Sequence, residues 1–304
     1  MVPMNPRLFA VAFALLLVSC GDPSVKITSN TYEPRIVVEG LLIPGHPVTG
    51  IRVTRNFTAD LDLNLTPIVI GDAEVNIVDD VSGTSFPLTF HTGQDLSTNY
   101  YEHIGEDLTI EPGRTYTLEV SAQIDGRQLF TRATTTVPAA GFRIASISHD
   151  LLSYRPRGED GEFVDVKVQI ERSPGTTFYL LTAVAMDASV ESFIYDNAFT
   201  DEKPDDLSDG DIVDFSYNYE WIQNTPPTTG TSTMDVFWWD LWFYGEHRVV
   251  IYAADKNYAR FVQTFDDVQE EDGNFHEPVF ALEGDGIGYF GSAIADTVSL
   301  TITR

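Results

Sequence analysis

The sequence predicts a mainly β protein, two sandwich-like units behind a leader peptide. Three observations lead there. Apolar and polar residues alternate over many short runs, the pattern of half-buried strands. Turn dipeptides, among them Pro44-Gly45, Pro112-Gly113 and Asp125-Gly126, separate those runs. One segment only, after Asp255, carries a convincing helical period.

The chain opens with a short region ending in Arg7. Leu8–Val18 follows, 11 apolar residues without interruption. That length is short of the ~20 residues a membrane span needs, and it suits the apolar core of a signal peptide. Leu17-Val18-Ser19-Cys20 resembles a bacterial lipobox. Residues 1–19 are therefore expected to be removed and Cys20 to carry lipid, which holds a protein on a membrane once two or more chains are attached. Cys20 is the single cysteine, so no intramolecular disulfide and no cysteine-based zinc cage can form. Residue 21 is Gly rather than the Asp that retains such proteins at the inner membrane, so the outer membrane is expected, with its two faces undecided. Residues 20–33 are polar and read as a lipid-anchored tether.

The first unit, residues 34–138, is expected to be an Ig-like or carboxypeptidase-regulatory-like β-sandwich. Ile36-Val37-Val38 is β-branched, and Val75 and Ile77 alternate with polar neighbours. Tyr116, Leu118, Val120 and Ala122 share one face. Asp125-Gly126 is suited to a type I′ turn joining Tyr116–Ile124 to Arg127–Thr136. Val137–Gly141 marks the boundary.

The second unit, residues 142–304, is expected to be β-rich with a helix over about 256–270. Val164, Val166, Val168 and Ile170 share a face, and Phe178–Met186 reads as a strand buried on both sides. Val213, Phe215, Tyr217, Tyr219 and Trp221 alternate with polar residues and predict one strand. Asp235–Tyr244 and His247–Ala254 predict two more. Asp255 reads as the N-cap of a helix with Tyr258, Phe261, Val262, Phe265 and Val268 on one side. A glycine-rich stretch, Gly284–Gly291, leads into a last strand, Thr297–Thr303.

The 304 residues include 46 acidic and 18 basic side chains, a net charge of −28. Such a chain lacks the basic patch that nucleic acid requires. Its hydrophobic content of 43% is too high for a disordered polyelectrolyte.

Several segments recur in an order that marks a family. They are Tyr32–Gly40, Gly71–Val75, Leu108–Leu118 and the late Gly286-Ile287-Gly288-Tyr289-Phe290-Gly291. Together they resemble the domain-of-unknown-function 4249 family of Bacteroidota outer-membrane lipoproteins. The resemblance implies an outer-membrane lipoprotein, often encoded beside a TonB-dependent transporter. It implies no catalytic or binding residue.

Two segments carry chemistry worth weighing. In the acidic run 201–211, Asp205, Asp209 and Asp211 with Gly210 are similar to part of a calcium loop, a candidate weak Ca²⁺ site. Leu207 stands where an oxygen ligand is expected, and a solvated loop is the plainer reading. In Phe237–Tyr244, read as a strand, Phe237, Trp239, Leu241 and Phe243 form the core face. The opposite face of Trp238, Asp240, Trp242 and Tyr244 is a candidate ligand platform, flat rings beside one carboxylate as a sugar requires, or else it lies under a further layer. Hydrolase signatures such as G-x-S-x-G and H-E-x-x-H do not occur. The expected function is a non-catalytic accessory or ligand-binding protein, with a TonB-dependent transporter as partner and a glycan as ligand. The rivals are a two-carboxylate surface glycosidase and a structural or adhesive envelope protein.

Overall fold

The computed structural model describes residues 32–58, 68–93, 99–155, 158, 161–197, 199, 206–223, 229–268 and 278–304. The expected signal peptide, Cys20 and nearly all of the expected tether lie outside them. Pro34–Arg304 forms one compact unit. Its strands are β1 (Ile36–Leu42), β2 (Arg52–Arg55), β3 (Glu74–Asp79), β4 (Thr84–Pro87), β5 (Thr89–His91), β6 (Tyr100–Glu102), β7 (Thr115–Ile124) and β8 (Arg127–Thr136). There follow β9 (Arg143–Ile147), β10 (Leu151–Ser153), β11 (Val166–Glu171), β12 (Phe178–Ala185), helix α1 (Asp209–Phe215), β13 (Tyr217–Gln223) and β14 (Thr231–Val236). The chain closes with β15 (Gly245–Ala254), helix α2 (Lys256–Val268), β16 (Glu283–Gly284) and β17 (Gly286–Thr303). The protein is mainly β, as its alternation predicts.

The architecture rests on one seven-stranded sheet, ordered β13-β12-β15-β17-β1-β2, with β10 joining β17. Two smaller sheets pack against it. The five-stranded sheet β16-β8-β7-β3-β4 closes a first core with Ile36, Val38, Val53, Leu118, Val120 and Phe290. The three-stranded sheet β14-β11-β9 closes a second with Val168, Ile170, Tyr179, Ile251, Leu300 and Ile302. The alternate residues Phe178, Leu180, Ala254 and Ala293 face the other way and lie under α2. β12 is therefore apolar at successive positions because both of its faces are covered.

The expected boundary near residues 138–142 falls where one core gives way to the other. The two units nevertheless share a sheet. β1 pairs in parallel with the start of β17, from Ile36 opposite Gly286 to Leu42 opposite Ser292. The far end of β17 pairs with β15 and β10 in the second core.

The Asp125-Gly126 hairpin forms as predicted, with φ of 51° and 76° at its two central residues. Helix α2 also forms where its period places it, capped by Asp255, whose carboxylate accepts from the Tyr258 amide at 3.0 Å. Two expected strands do not form as read. Val213–Trp221 divides into α1 and β13. The cause is a capping box: the Ser208 hydroxyl accepts from the Asp211 amide, and the Asp211 carboxylate accepts from the Ser208 amide. Ile212 and Phe215 then share a helical face and pack near Phe193. Asp235–Tyr244 is also not one strand. β14 stops at Val236 and Trp238–Asp240 turns as 3₁₀ helix, so its side chains no longer alternate between two faces.

The glycine-rich stretch is strand rather than a lead-in. Gly288 has φ +103°, and a Cβ there would lie 2.1 Å from the Val38 carbonyl oxygen. Its glycine permits close approach of β1 within a continuous β17. No helix among the described residues is long and apolar enough to cross a membrane.

Candidate functional site

Four segments converge at the end of the second core. β10 runs beside the end of β17, and the chain leaves it through Tyr154, whose amide donates to the Thr303 carbonyl at 2.9 Å. Arg155 follows with φ +51°, a left-handed conformation that costs a non-glycine residue roughly 1–2 kcal/mol. The 3₁₀ turn delivers Trp238. The segment 189–197 lies along 242–244, held by the Ile194 amide on the Trp242 carbonyl at 2.8 Å and the Tyr244 amide on the Ser192 carbonyl at 2.7 Å. Arg304 follows β17 and donates to the Glu191 carbonyl at 3.2 Å.

Aromatic rings fill this end. Tyr154 meets Trp238 edge-on at 6.0 Å and Tyr244 edge-on at 6.2 Å. Phe163 tilts against Trp238 at 4.6 Å, and Trp242 stacks parallel to Phe193 at 6.2 Å. The Arg155 guanidinium lies 5.3 Å from the Trp238 ring centre and 5.5 Å from that of Tyr154. Arg304 lies 5.4 Å from the Tyr244 ring centre. Beside this cluster opens a cleft of about 630 Å³, walled by Phe193, Tyr195 and Tyr244 and edged by Glu191, Asp196 and Arg304. It is shallow and largely open to solvent, a surface groove rather than an enclosed cavity.

The polar groups here are unusually placed. The Tyr154 hydroxyl, the Arg155 Nε and one Asp165 carboxylate oxygen are buried with no hydrogen-bond partner of good geometry among the described residues. Burial pushes the Tyr154 hydroxyl up to about 12, against the pull of Arg155. Burial also raises the Tyr244 hydroxyl and Asp196 adds to the rise, while Arg304 and Arg155 oppose it. On the other side of the 3₁₀ turn, burial raises the carboxyls of Asp165, Glu220 and Asp240 above the usual carboxylate range. Asp240 adds to the rise at Glu220, and Asp165 to that at Asp240.

The four residues read as a platform are split by the 3₁₀ turn. Trp238 is buried at 9% exposure and forms the centre of the aromatic cluster. Trp242 packs near Phe193, and Tyr244 lines the cleft. Asp240 lies beside Asn218 instead, which donates to its backbone carbonyl at 3.3 Å and also meets its carboxylate. Of the acidic run, Asp205 lies outside the described residues. Asp209 and Asp211 begin α1, and the Asp211 carboxylate is engaged in the cap. Among the described residues no three His, Cys, Asp or Glu side chains are grouped to hold a metal ion. Sequence reasoning missed Tyr154, Arg155, Phe193, Tyr195 and Arg304. Tyr154-Arg155 carried a signal, an arginine beside an aromatic in a chain with only 18 basic residues.

The family model described as Domain of unknown function (DUF4249) matches residues 23–297. The chain belongs to this family. No curated protein matches this DUF4249 chain. Among solved structures it is similar to the tetra-tandem repeat in the extending region of a large adhesion protein, at 14% identity over 88% of this chain and 49% of that one, TM-score 0.24. A DUF4785 family protein from Legionella pneumophila subsp. pneumophila str. Philadelphia 1 is similar at 13% identity over 70% and 51%, TM-score 0.24. A 1.5-MDa bacterial ice-binding adhesin is similar at 11% identity over 90% and 66%, TM-score 0.22. The DUF4249 chain spans about half the length of the first two.

Proposed function

We propose that this DUF4249 protein is a lipid-anchored, non-catalytic accessory of the bacterial outer membrane that binds a ligand and docks on a TonB-dependent transporter. The observation that carries ligand binding is the cleft of about 630 Å³ walled by Phe193, Tyr195 and Tyr244. Aromatic walls with a few convergent polar groups favour recognition of a small ligand. The anchor rests on the Leu17-Val18-Ser19-Cys20 motif after an apolar run too short to span. The transporter rests on the family resemblance. Affinity capture of the acylated full chain from native membranes tests the partner: a TonB-dependent transporter recovered in stoichiometric amount supports it, and its absence removes it. Cys20→Ala tests the anchor, since the variant should leave the detergent phase that retains the wild type.

A glycosidase is the second reading, favoured by the neighbouring raised carboxyls of Asp240 and Glu220. Glycan hydrolysis that is lost in Asp240→Asn without loss of folding would select it.

A further inference from the structure

We propose that the exposed aromatic row of β13 is a second binding surface, for a neutral, extended, β-linked glycan chain. None of its residues lines the Phe193 cleft, so it goes beyond the reading above. The row follows from strand geometry. Tyr217, Tyr219 and Trp221 occupy every second position of β13, and so share one side of the strand at intervals of roughly 6–7 Å. The Tyr217 and Tyr219 ring centres are 6.3 Å apart. β13 ends the seven-stranded sheet, and its opposite side, with Ile222, turns to the second core. The aromatic side lies on the same side of the sheet as α2, since Trp221 stands opposite Leu180, which packs under that helix. The helix does not cover the row: Tyr217 is 49% exposed, Tyr219 42% and Trp221 37%. Trp221 stacks on the buried Phe178 ring at 5.5 Å, so one indole face is held by the sheet and the other faces outward. Beside it the Gln263 amide of α2 donates to Gln223 at 3.1 Å, which places two uncharged amides at the end of the row.

Charge selects the class of ligand. On this side β13 presents Tyr217, Tyr219, Trp221 and Gln223, opposite Val184, Thr182, Leu180 and Phe178 of β12, and none of them is charged. A cationic ligand finds no carboxylate on these two strands, and an anionic one meets the repulsion of a chain with a net charge of −28. A neutral ligand escapes both penalties. Shape narrows the class further. Three rings at these exposures offer roughly 200–300 Å². A stable protein interface takes about 800 Å² from each partner. A row one ring wide and straight along a strand suits a linear polymer. Pyranose units meet these demands, with C–H faces on the aromatic rings and hydroxyls turned to the tyrosine hydroxyls and the amides. An extended β-linked chain repeats its rings along a straight line, as the strand repeats Tyr, Tyr and Trp, whereas an α-linked chain curls away from it.

The test uses the full acylated chain in a sugar-free detergent. The probes are the β-linked cellohexaose, xylohexaose and mannohexaose, with the α-linked maltohexaose as the curled control, and binding is read by calorimetry. At least one β-linked hexaose should bind with the same affinity at low and high salt, and maltohexaose should bind about tenfold more weakly or not at all. Trp221→Ala should lower the affinity about tenfold, the scale of a central aromatic anchor. Tyr217→Ala removes the most exposed ring and should lower it several-fold with the melting temperature unchanged, so the test survives if Trp221→Ala destabilises the sheet. Tyr195→Ala, in the other cleft, should bind as wild type does. Failure of every β-linked hexaose to bind, equal binding of maltohexaose, or a strong salt dependence would overturn the inference. Affinity lost in Tyr195→Ala but kept in Tyr217→Ala and Trp221→Ala would overturn it too, by moving the sugar to the Phe193 cleft and leaving that reading standing. Loss of transporter capture in Tyr217→Ala, with no sugar bound by wild type, would overturn it in favour of a protein partner.

Discussion

The Asp255 carboxylate accepts a hydrogen bond from the Thr135 hydroxyl at 2.9 Å, across 120 residues of sequence. The same carboxylate accepts from the Tyr258 amide at 3.0 Å and the Ser292 amide at 3.2 Å. Thr135 and Ser292 also share a hydrogen bond of 2.6 Å. One side chain thereby joins β8 of the first core, the start of α2 and the middle of β17. This buried joint has a pH signature. Burial pushes the Asp255 carboxyl above the usual range, against the hydrogen bonds it accepts. The folded state then holds this proton at pH values where the unfolded chain, titrating near about 4, has released it. Stability from this group rises as pH falls through that window and is flat above it. Urea unfolding of wild type and Asp255→Asn between neutral pH and pH 4 should show the gap moving in favour of wild type on acidification. The reverse trend would mean that the hydrogen bonds outweigh burial.

Asp79 should behave in the opposite sense. Burial alone would raise its carboxyl, but Ser82, the Val81 amide and Arg114 together hold it below the usual range. Arg114 donates to it through Nε at 3.0 Å and also pairs with Glu111. Arg114→Met leaves the Asp79 carboxylate without its cation and should lower stability near neutral pH. The stability from a lowered carboxyl is present above the unfolded value and is lost as pH falls through the folded value. The cost of Arg114→Met should therefore shrink in acid. A cost that is the same at pH 3 and pH 7 would show that Asp79 gains little from the pair.

Gly288→Ala should be among the most damaging small substitutions in the chain. The new Cβ would meet the Val38 carbonyl oxygen at 2.1 Å, and that atom belongs to a paired strand that cannot give way. The positive φ adds to the cost. Loss of soluble protein, or a melting temperature lower by many degrees, is expected. A melt within one or two degrees of wild type would mean that β1 and β17 sit farther apart than the structure has them.

The two central tryptophans should respond unequally. Trp238 is enclosed by Tyr154, Phe163 and Val236, so Trp238→Ala should cost about 3–5 kcal/mol. Trp239 is only half-buried, stacked on Phe237 at 4.5 Å, so Trp239→Ala should cost about 1–2 kcal/mol. Chemical denaturation of both variants gives the ranking, and a larger loss at Trp239 would restore the simple strand reading.

The strand reading puts Trp239 on the core face and Trp238 on the opposite one, and the departure from it at Trp239 has a physical reason. Alternation is a sound guide in β8 and β11, whose buried residues fall on every second position, but in β13 the aromatic side of Tyr217, Tyr219 and Trp221 is the exposed one. It failed where a local hydrogen bond redirected the backbone. Ser208 and Asp211 form such a device in plain view, an S-x-x-D pattern ahead of an apolar residue. The 3₁₀ turn at Trp238 has no side-chain cap and left no such mark. The cleft was only partly legible. Tyr244 belonged to an evident aromatic run, whereas Phe193, Tyr195 and Arg304 reach it from segments far apart in sequence.

β17 gives the molecule an order of assembly. Phe290 completes the core around β7 and β8, and Leu300 and Ile302 complete the core around β11 and β15, all from one uninterrupted strand. Its partner β1 is made some 250 residues earlier. A chain synthesised from its N-terminus must therefore leave one edge of β1 unpaired until β17 arrives, and contacts this distant slow the search for the native state. Residues 34–138 produced alone would leave one edge of β1 unpaired and the core of Ile36 and Val38 without Phe290. Both cores thus stay incomplete until β17 takes its place between β1 and β15.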